Sequence, residues 1–211
     1  GLSLGRDGFM HDIYRDRRLD GASVEALRGE AVFPVGARGT MLLAADYLTD
    51  TGSTADAPKV VPPYAGAPGL LFGGTVPADP RTVLYDADVG TRATSWGLRS
   101  EFTWDFDAAV LKALTAWRAV DVDVSIDLDG TQANAVIDRP QGRARDFSED
   151  VVLTSQSASA VEWLIGGSYL HADAAQRLTV NVAPAQLTDV PDGRLVTDAG
   201  ALFGEVEWQF A

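Results

Sequence analysis

The chain has 211 residues, of which 46% are hydrophobic and 9% aromatic, and this composition excludes a disordered protein. The formal net charge of −13 argues against nucleic acid as a partner and against docking on an anionic lipid surface. Because the chain has no Cys and only two His, it has no disulfide framework or thiolate metal site, and a His-based metal site or a Ser-His-Asp triad is disfavoured. We therefore expect neither an enzyme nor a resident metal or cofactor.

Membrane-spanning helices are excluded because no apolar run is long enough, and the most apolar tract, at 60–74, is interrupted by Pro and Gly. The first residues have neither the basic nor the apolar region of a signal peptide, so we expect the chain to begin within a folded structure. Transmembrane β-strands stay possible, since each needs only about ten residues and is apolar on one face.

Apolar and polar side chains alternate in several runs, which predicts an almost all-β chain. In the clearest run Trp96, Phe102 and Trp104 share one parity, whereas Arg99 and Glu101 share the other. After a fragment at residues 1–5, strands are predicted in chain order at 24–33, 40–49, 94–106, from 109 onward, 146–155, 161–169 and 200–210.

The strand that begins at Ala109 changes its apolar parity along its length. Leu111 and Trp117 have the apolar parity in its first half, but Val120 and Val122 have the opposite one. Either a β-bulge intervenes or the strand leaves its apolar environment there.

The predicted connections alternate between short and long. Short ones lie at 34–39, 105–109 and 156–160, and long ones at about 6–22, 50–92, 129–145 and 172–197. An outer-membrane barrel has short periplasmic turns and longer extracellular loops, whereas a soluble sandwich has no reason for this asymmetry. The pattern predicts an antiparallel up-and-down transmembrane β-barrel segment.

Aromatic residues near the strand ends support this prediction, because such residues mark the two membrane interfaces of a barrel. On the apolar parity, one group lies toward the short turns and comprises Phe33, Trp104, Phe106, Trp163, Trp208 and Phe210. The other lies toward the long loops and comprises Tyr47, Trp96, Trp117 and Tyr169. The alternative is that these rings pack in the core of a sandwich.

The predicted count of seven strands plus a fragment leaves three architectures open. Eight strands could close a small barrel with a structural or adhesive role, and a soluble β-sandwich could be a binding module or a glycan-processing enzyme. The long loops favour a larger barrel, of which residues 1–211 would form one partial domain that does not close alone.

Several sequence strings resemble the barrel of TonB-dependent outer-membrane receptors. "GRDGFMHDIY" (5–14) resembles a strand end entering a loop with an Arg-Asp-Gly pattern, and "RDFSEDVVLTS" (145–155) is similar to the family's Phe-Ser-x-Glu-Leu strand, with Asp150 where Glu is usual. Further similar strings are "ALRGEAVFPVG" (26–36), "TMLLAADYLTD" (40–50), "LKALTAWRAVDVDVSIDLDG" (111–130), "VEWLIGGSYLHADA" (161–174) and "TDAGALFGEVEWQF" (197–210).

The resemblance implies energised uptake of a ligand across the outer membrane of a Gram-negative bacterium, most often a ferric siderophore. Implied partners are outer-membrane lipid and the TonB complex. The plug, the TonB-contacting box and the last barrel strand of the family have no counterpart in these residues, so we expect the energy-coupling part to lie outside them.

Candidate ligand contacts lie in the predicted loops and on the lumen wall. Arg139, Arg143 and Arg145, and also a cluster of Arg15, Arg17 and Arg18, could attract an anionic ferric chelate. Tyr64 and Phe72 could stack on an aromatic chelator. The simpler alternatives are solvated loop charges and ordinary loop packing.

Acidic residues form two further groups. Asp121, Asp123, Asp127 and Asp129 alternate along one predicted strand and superficially suit calcium, but their spacing does not match the EF-hand template, and a water-exposed strand tip explains them. The other group, Glu101, Glu205 and Glu207, is assigned to the polar lumen face, because no nucleophile or oxyanion motif accompanies these residues.

Overall fold

The computed structural model describes residues 1–52, 66–156 and 161–209 of the chain. The main sheet is wholly antiparallel, and each strand from β1 to β10 pairs with the next of these strands in the sequence, whereas β11 and β12 both pair with β10. Its strands are β1 (Leu2–Arg6), β4 (Ala22–Val35), β5 (Gly39–Gly52), β7 (Gly90–Asp105), β8 (Ala109–Asp127), β9 (Val136–Ser155), β10 (Val161–Val182), β11 (Leu187–Asp189) and β12 (Asp192–Trp208). The predicted all-β, up-and-down architecture is confirmed.

The remaining short elements belong to the connections at one end of the sheet. They are β2 (Met10–Asp12), β3 (Arg17–Leu19), helix α1 (Pro68–Leu71), β6 (Thr82–Val83) and the 3₁₀ turn Ala183–Ala185. Strands β3, β2 and β6 form a small second sheet, in which β2 and β6 are parallel. No helix in the described part of the chain is long and apolar enough to cross a membrane.

The two ends of the main sheet differ, as the sequence predicts. Tight connections at 36–38 and 106–108 define the turn end, where β9 ends and β10 begins. Among the described residues, connections at 7–21, 66–89, 128–135 and 183–191 define the loop end. At the turn end Gly36 adopts φ +61°, a left-handed conformation that side chains disfavour.

Two predicted long loops are wrong. Residues 136–145 belong to β9 rather than to a loop at 129–145, and a loop at 172–197 is replaced by the ends of β10 and β12 around a short connection. Both tracts lack the apolar alternation on which the prediction relied, and the first also contains Pro140. The backbone ladder nevertheless continues, and only the β8–β9 pairing is interrupted, beside Pro140, which has no N–H to donate.

The pairing register of β8 with β9 shows whether a bulge causes the parity change in β8. Asp123 pairs with Gln141 and Ile126 with Asp138 in the same register that pairs Ala109 with Ser155. No bulge intervenes, so the strand passes from one environment into another.

The main sheet is a single open layer. β12 is paired on one side only, with β10, and no pairing joins β12 to β1 among the described residues. The one buried apolar cluster of the described chain consists of Leu19, Val83, Tyr85, Ala87 and Val89 and lies in the loop-end connections. The sheet itself therefore has no core of its own.

Candidate functional site

One face of the main sheet, here called the apolar face, is aromatic and uncovered. Its members share a parity fixed by cross-strand pairs such as Tyr47 with Trp96 and Trp117 with Phe147. All five tryptophans of the chain lie on it. Many large side chains on this face are exposed, among them Trp96 at 39% and Leu202 at 92%, whereas Trp104, Trp117 and Trp163 are half-buried. No second layer of the described chain packs against this face.

The rings on the apolar face form two levels. The upper row, toward the loop end, consists of Tyr47, Trp96, Trp117, Phe147 and Tyr169 on five neighbouring strands. The lower row, at the turn end, includes Phe33, Trp104, Trp163 and Trp208. Trp96 and Trp104 lie about 27 Å apart along β7 at ~3.4 Å per residue. With a strand tilt of about 35–45° this becomes about 19–22 Å along a barrel axis, close to the apolar band of about 25 Å in membrane barrels.

Between the two rows, the opposite face carries ion pairs, and we call it the ionic face. The Arg118 guanidinium lies 3.3 Å from Asp46, and Glu30 lies 3.3 Å from Arg28 and 3.7 Å from Arg99. These pairs link β4, β5, β7 and β8. Glu101, Glu205 and Glu207 have the same parity, as the alternation predicts.

Above the upper row the polarity of the two faces is exchanged. On the apolar-face side, β8 continues with Asp121 and Asp123, and β9 with Arg145, Arg143 and Arg139. On the other side, Val120, Val122, Val124, Pro140, Ala144 and Leu195 line a cleft of about 680 Å³. The parity change in β8 marks the level at which the apolar face ends.

The three arginines predicted as ligand contacts lie on β9 and not in a loop. Arg145 donates two hydrogen bonds of 2.8 Å to the Asp121 carboxylate and one of 2.9 Å to the Val120 carbonyl. The exposed guanidinium groups of Arg143 and Arg139 make no hydrogen bond or ion pair within the described residues. Arg145 therefore clamps β8 to β9, whereas Arg139 and Arg143 keep free donors.

The loop-end connections assemble into one unit, here called the loop module, around the buried apolar cluster. Asp12 is fully buried, and its Oδ1 accepts hydrogen bonds from the N–H groups of Tyr14 and Tyr85 at 3.2 Å. Its Oδ2 lies 3.5 Å from Nε of Arg17, whose guanidinium also binds Asp88. Arg17, predicted as a ligand contact, is thus a structural residue.

Asp127 and Asp129 are buried beside the loop module, so the predicted water-exposed strand tip is wrong for these two residues. Asp127 accepts hydrogen bonds from the N–H groups of Gly130 and Asp86 at 2.9 and 3.2 Å. Asp129 accepts from Thr131 N–H at 3.1 Å and from Val136 N–H at 3.0 Å. Both carboxylates therefore fasten the connections to the end of β8.

Asp86 completes a group of three carboxylates, with one oxygen of each within 4.8 Å of the others. Among the described residues this is the group whose geometry could hold a hard cation. Burial and the neighbouring Asp129 carboxylate raise the pKa of Asp127 to about 7. Burial also raises the pKa of Asp86, against the lowering effect of its hydrogen bond with Asp127. The sequence analysis singled out Asp127 and Asp129 but not Asp86, because Asp86 lies on a distant connection.

A cleft of about 1160 Å³ separates the loop module from the ends of the strands. Four arginines line it: Arg6, Arg18, Arg92 and Arg139. Asp7, Asp88 and Asp123 also line it, but Asp88 binds Arg17, and Asp123 accepts a hydrogen bond of 2.7 Å from Gln141. Arg139 thus lies in the same cleft as Arg6 and Arg92. The sequence analysis did not identify Arg6 and Arg92 as candidate ligand contacts, because neither lies in a recognisable motif.

The two predicted aromatic contacts have separate outcomes. Tyr64 lies outside the described residues. Phe72 follows helix α1, and its N–H donates a hydrogen bond of 3.3 Å to the Pro68 carbonyl. Its ring is 51% exposed at the surface of the loop module. The structure therefore leaves its ring accessible, and a stacking role stays a prediction.

No protein-family model matches the chain, and no curated protein matches it. Among solved structures, the chain is similar to the ferric yersiniabactin uptake receptor FyuA from Yersinia pestis, with a TM-score of 0.54 and 11% sequence identity. The match covers 97% of this chain and 38% of the receptor chain. At this identity the likeness concerns the fold alone. The chain has a receptor-barrel-like fold and spans 38% of the length of that receptor.

Proposed function

We propose that the chain forms part of the wall of an outer-membrane receptor barrel that takes up an anionic ligand such as a ferric siderophore. The observation that supports this most strongly is the uncovered aromatic face of a single open sheet, with ion pairs on the reverse face. In water this face would have to be covered, because exposed apolar patches of this size are rare on soluble proteins. In a bilayer, lipid covers it and the ionic face borders an aqueous interior.

The open edges favour a partial barrel over the two other architectures. A closed eight-stranded barrel requires β12 to pair with β1, and a sandwich requires a second sheet over the aromatic rows. Neither occurs within the described residues. Hydrocarbon does not tolerate unpaired backbone amides, so a membrane location requires further strands to complete the ring.

The loop-end cleft is the proposed entry site for the ligand. Its four arginines offer donors to the carboxylate, phenolate or hydroxamate oxygens of a ferric chelate. Uptake through such a barrel is energised by the TonB complex, through a part of the receptor that these residues do not supply.

Membrane insertion is tested with the chain refolded into phosphatidylcholine vesicles. Because all five tryptophans lie on the apolar face, we expect strong quenching of their fluorescence by brominated lipid and weak quenching by aqueous iodide. A monodisperse, folded monomer in detergent-free buffer would contradict the membrane location.

Ligand binding is tested separately on the inserted chain, by titration with ferric chelates of the catecholate, phenolate and hydroxamate classes. We expect the double substitution Arg92→Gln/Arg139→Gln to weaken binding. The matched control is Arg28→Gln/Arg118→Gln, which removes the same charge from the ionic face. Equal affinity in the native chain and in the cleft variant would refute this entry site.

A further inference from the structure

One side of the β12 backbone is unpaired. This strand of 17 residues pairs with β10 along its whole length, from Asp192 opposite Arg177 to Trp208 opposite Val161, and with no other strand among the described residues. In an antiparallel sheet alternate residues direct both backbone groups to the same side, so about half of these amides point to the unpaired side, here called the open edge. Such an edge is a template for one more strand.

Three carboxylates lie beside the open edge, near the turn end of the ionic face. Glu162 on β10 lies directly opposite Glu207 on β12, and Glu205 is two residues away on the same strand. All three side chains are exposed. Directly opposite residues have their Cβ atoms about 4.5–5.5 Å apart, and like charges at this distance destabilise a sheet. This part of the edge therefore requires cations.

The neighbouring strands do not supply these cations. Neither β10 nor β12 has a Lys or Arg on the ionic face over the ranges given above, because Arg177 and Arg194 have the opposite parity. Lys112 on β8 has the ionic parity but lies three strands from β12, about 14 Å away at ~4.8 Å per strand. Within the described residues the three glutamates make no ion pair or hydrogen bond.

Strand β1, at the other edge of the main sheet, does not fit this position either. Its only cation, Arg6, pairs with Ala22 near the loop end and donates a hydrogen bond of 2.9 Å to the Asp20 carbonyl. Closure of β12 on β1, of the same chain or of a second copy, would leave the turn-end glutamates without cations. Antiparallel pairing of two β12 strands would set the turn end of one copy beside the loop end of the other, so the copies could not share one membrane orientation.

The apolar face of β12 defines the other side of the missing strand. Gly200 and Gly204 flank Leu202, which is 92% exposed, and Val206 is 72% exposed. The two glycines leave gaps that large side chains on a neighbouring strand can fill, since cross-strand and diagonal neighbours on one face are in contact. The fitting partner is therefore apolar on this face and basic on the other.

We infer that the open edge binds an antiparallel β-strand that has Lys or Arg opposite Glu205 and Glu207 and large apolar side chains on its reverse face. This inference rests on the proposed membrane location, in which hydrocarbon leaves pairing with another strand as the way to satisfy the edge amides. It adds the chemistry of that strand, namely two basic residues separated by one apolar residue.

The test uses the full chain inserted into phosphatidylcholine vesicles and two short synthetic strand peptides. Both peptides alternate apolar and polar residues, and they differ only at two alternate polar positions, which are Lys in one peptide and Glu in its twin. Energy transfer from tryptophan to a dansyl group on the peptide reports binding. We expect the Lys peptide to bind about tenfold more tightly, since each cross-strand charge pair contributes about threefold.

Glu205→Gln/Glu207→Gln should remove this preference, and its exposed side chains allow normal folding. The matched control is Glu101→Gln/Asp150→Asn, because both residues pair with Leu114 and lie on the ionic face away from the open edge. This control removes the same charge and should keep the preference of the native chain.

Three results would overturn the inference: equal affinity for the two peptides, binding of neither peptide, or the same loss of preference in both variants. The vesicles are zwitterionic, so they attract neither peptide by net charge. Failure of the chain to insert into phosphatidylcholine would instead refute the proposed function, which separates the two outcomes.

Discussion

The Arg145 guanidinium lies against the Asp121 carboxylate in a two-bond ion pair of 2.8 Å that joins β9 to β8 just above Trp117 and Phe147. Both side chains are partly exposed, at 38% and 48%. We predict that Arg145→Ala lowers the free energy of unfolding by about 0.5–1 kcal/mol, as expected for a well-oriented surface pair.

A double-mutant cycle with Asp121→Ala measures this pair directly. The effects of the two substitutions should not add, because each removes the same interaction. Additive losses would mean that the pair does not couple the strands. Chelate binding should stay unchanged in both single variants, since neither side chain lines the loop-end cleft.

Neighbouring leucines on β5 test which face meets lipid. Leu43 pairs with Ala31 and Ser100 on the apolar face, whereas Leu42 pairs with Val32 and Glu101 on the ionic face. We predict that Leu43→Lys lowers the stability of the inserted chain by about 2–4 kcal/mol, the range for a cation near the bilayer midplane.

Leu42→Lys is the matched control and should cost less than about 1 kcal/mol, because the new amine lies opposite Glu101 on the face that the proposed barrel turns toward water. Reversible unfolding in vesicles by denaturant gives both values. A larger loss at Leu42 than at Leu43 would reverse the assignment of the two faces.

The pKa of Asp127, raised to about 7, makes the attachment of the loop module dependent on pH. The folded state holds this proton more tightly than the unfolded state, in which the ordinary pKa is about 4. Stability should therefore be greatest below about pH 4, fall as the pH rises to about 7, and then level off as far as this group is concerned. Asp127→Asn should flatten that part of the profile.

The carboxyl carbon resonance of Asp127 reports its titration in the native chain. We expect its midpoint near pH 7. A midpoint near 4 for Asp127 would show that its backbone donors outweigh its burial.

Close packing in the loop module predicts that Gly69 tolerates no side chain. A Cβ at this position would lie 2.5 Å from Cγ2 of the buried Thr131. Gly69→Ala should destabilise the module by about 1–3 kcal/mol and speed tryptic cleavage in the β2–β3 connection. Gly142→Ala on β9 is the control, because the space around its Cβ is open.

The sequence predicted the strands correctly where apolar and polar side chains alternate. The run from Trp96 to Phe106 predicted β7, and the tight turns at 36–38 and 106–108 fell within the predicted short connections. It failed around Pro140 and Arg143, where the strands rise above the aromatic rows and the apolar parity is exchanged. The alternation of apolar and polar residues shows which surroundings the two faces of a strand have. The backbone hydrogen bonds between strands continue whether those surroundings are apolar or polar.

The candidate site was harder to predict than the strands, because its residues are far apart in the sequence and meet only in the folded chain. The string "DLDGT" gave a local signal, since Thr131 N–H and Oγ1 bind the Asp129 carboxylate and Gly130 has φ +68°. Nothing in the string indicates Asp86 as the third carboxylate. Likewise, only the register shows that Glu162 lies opposite Glu207.

The order of assembly follows from the way the two sheets are connected. The main sheet is a meander in which strands pair with near neighbours in the sequence, so most of its hairpins can be added with short closures, the one between β5 and β7 excepted. By contrast, β2 meets β6 through the pairing of His11 with Thr82, which closes a long segment of chain. The loop module should therefore become native last, after the meander has fixed the strand ends that it covers.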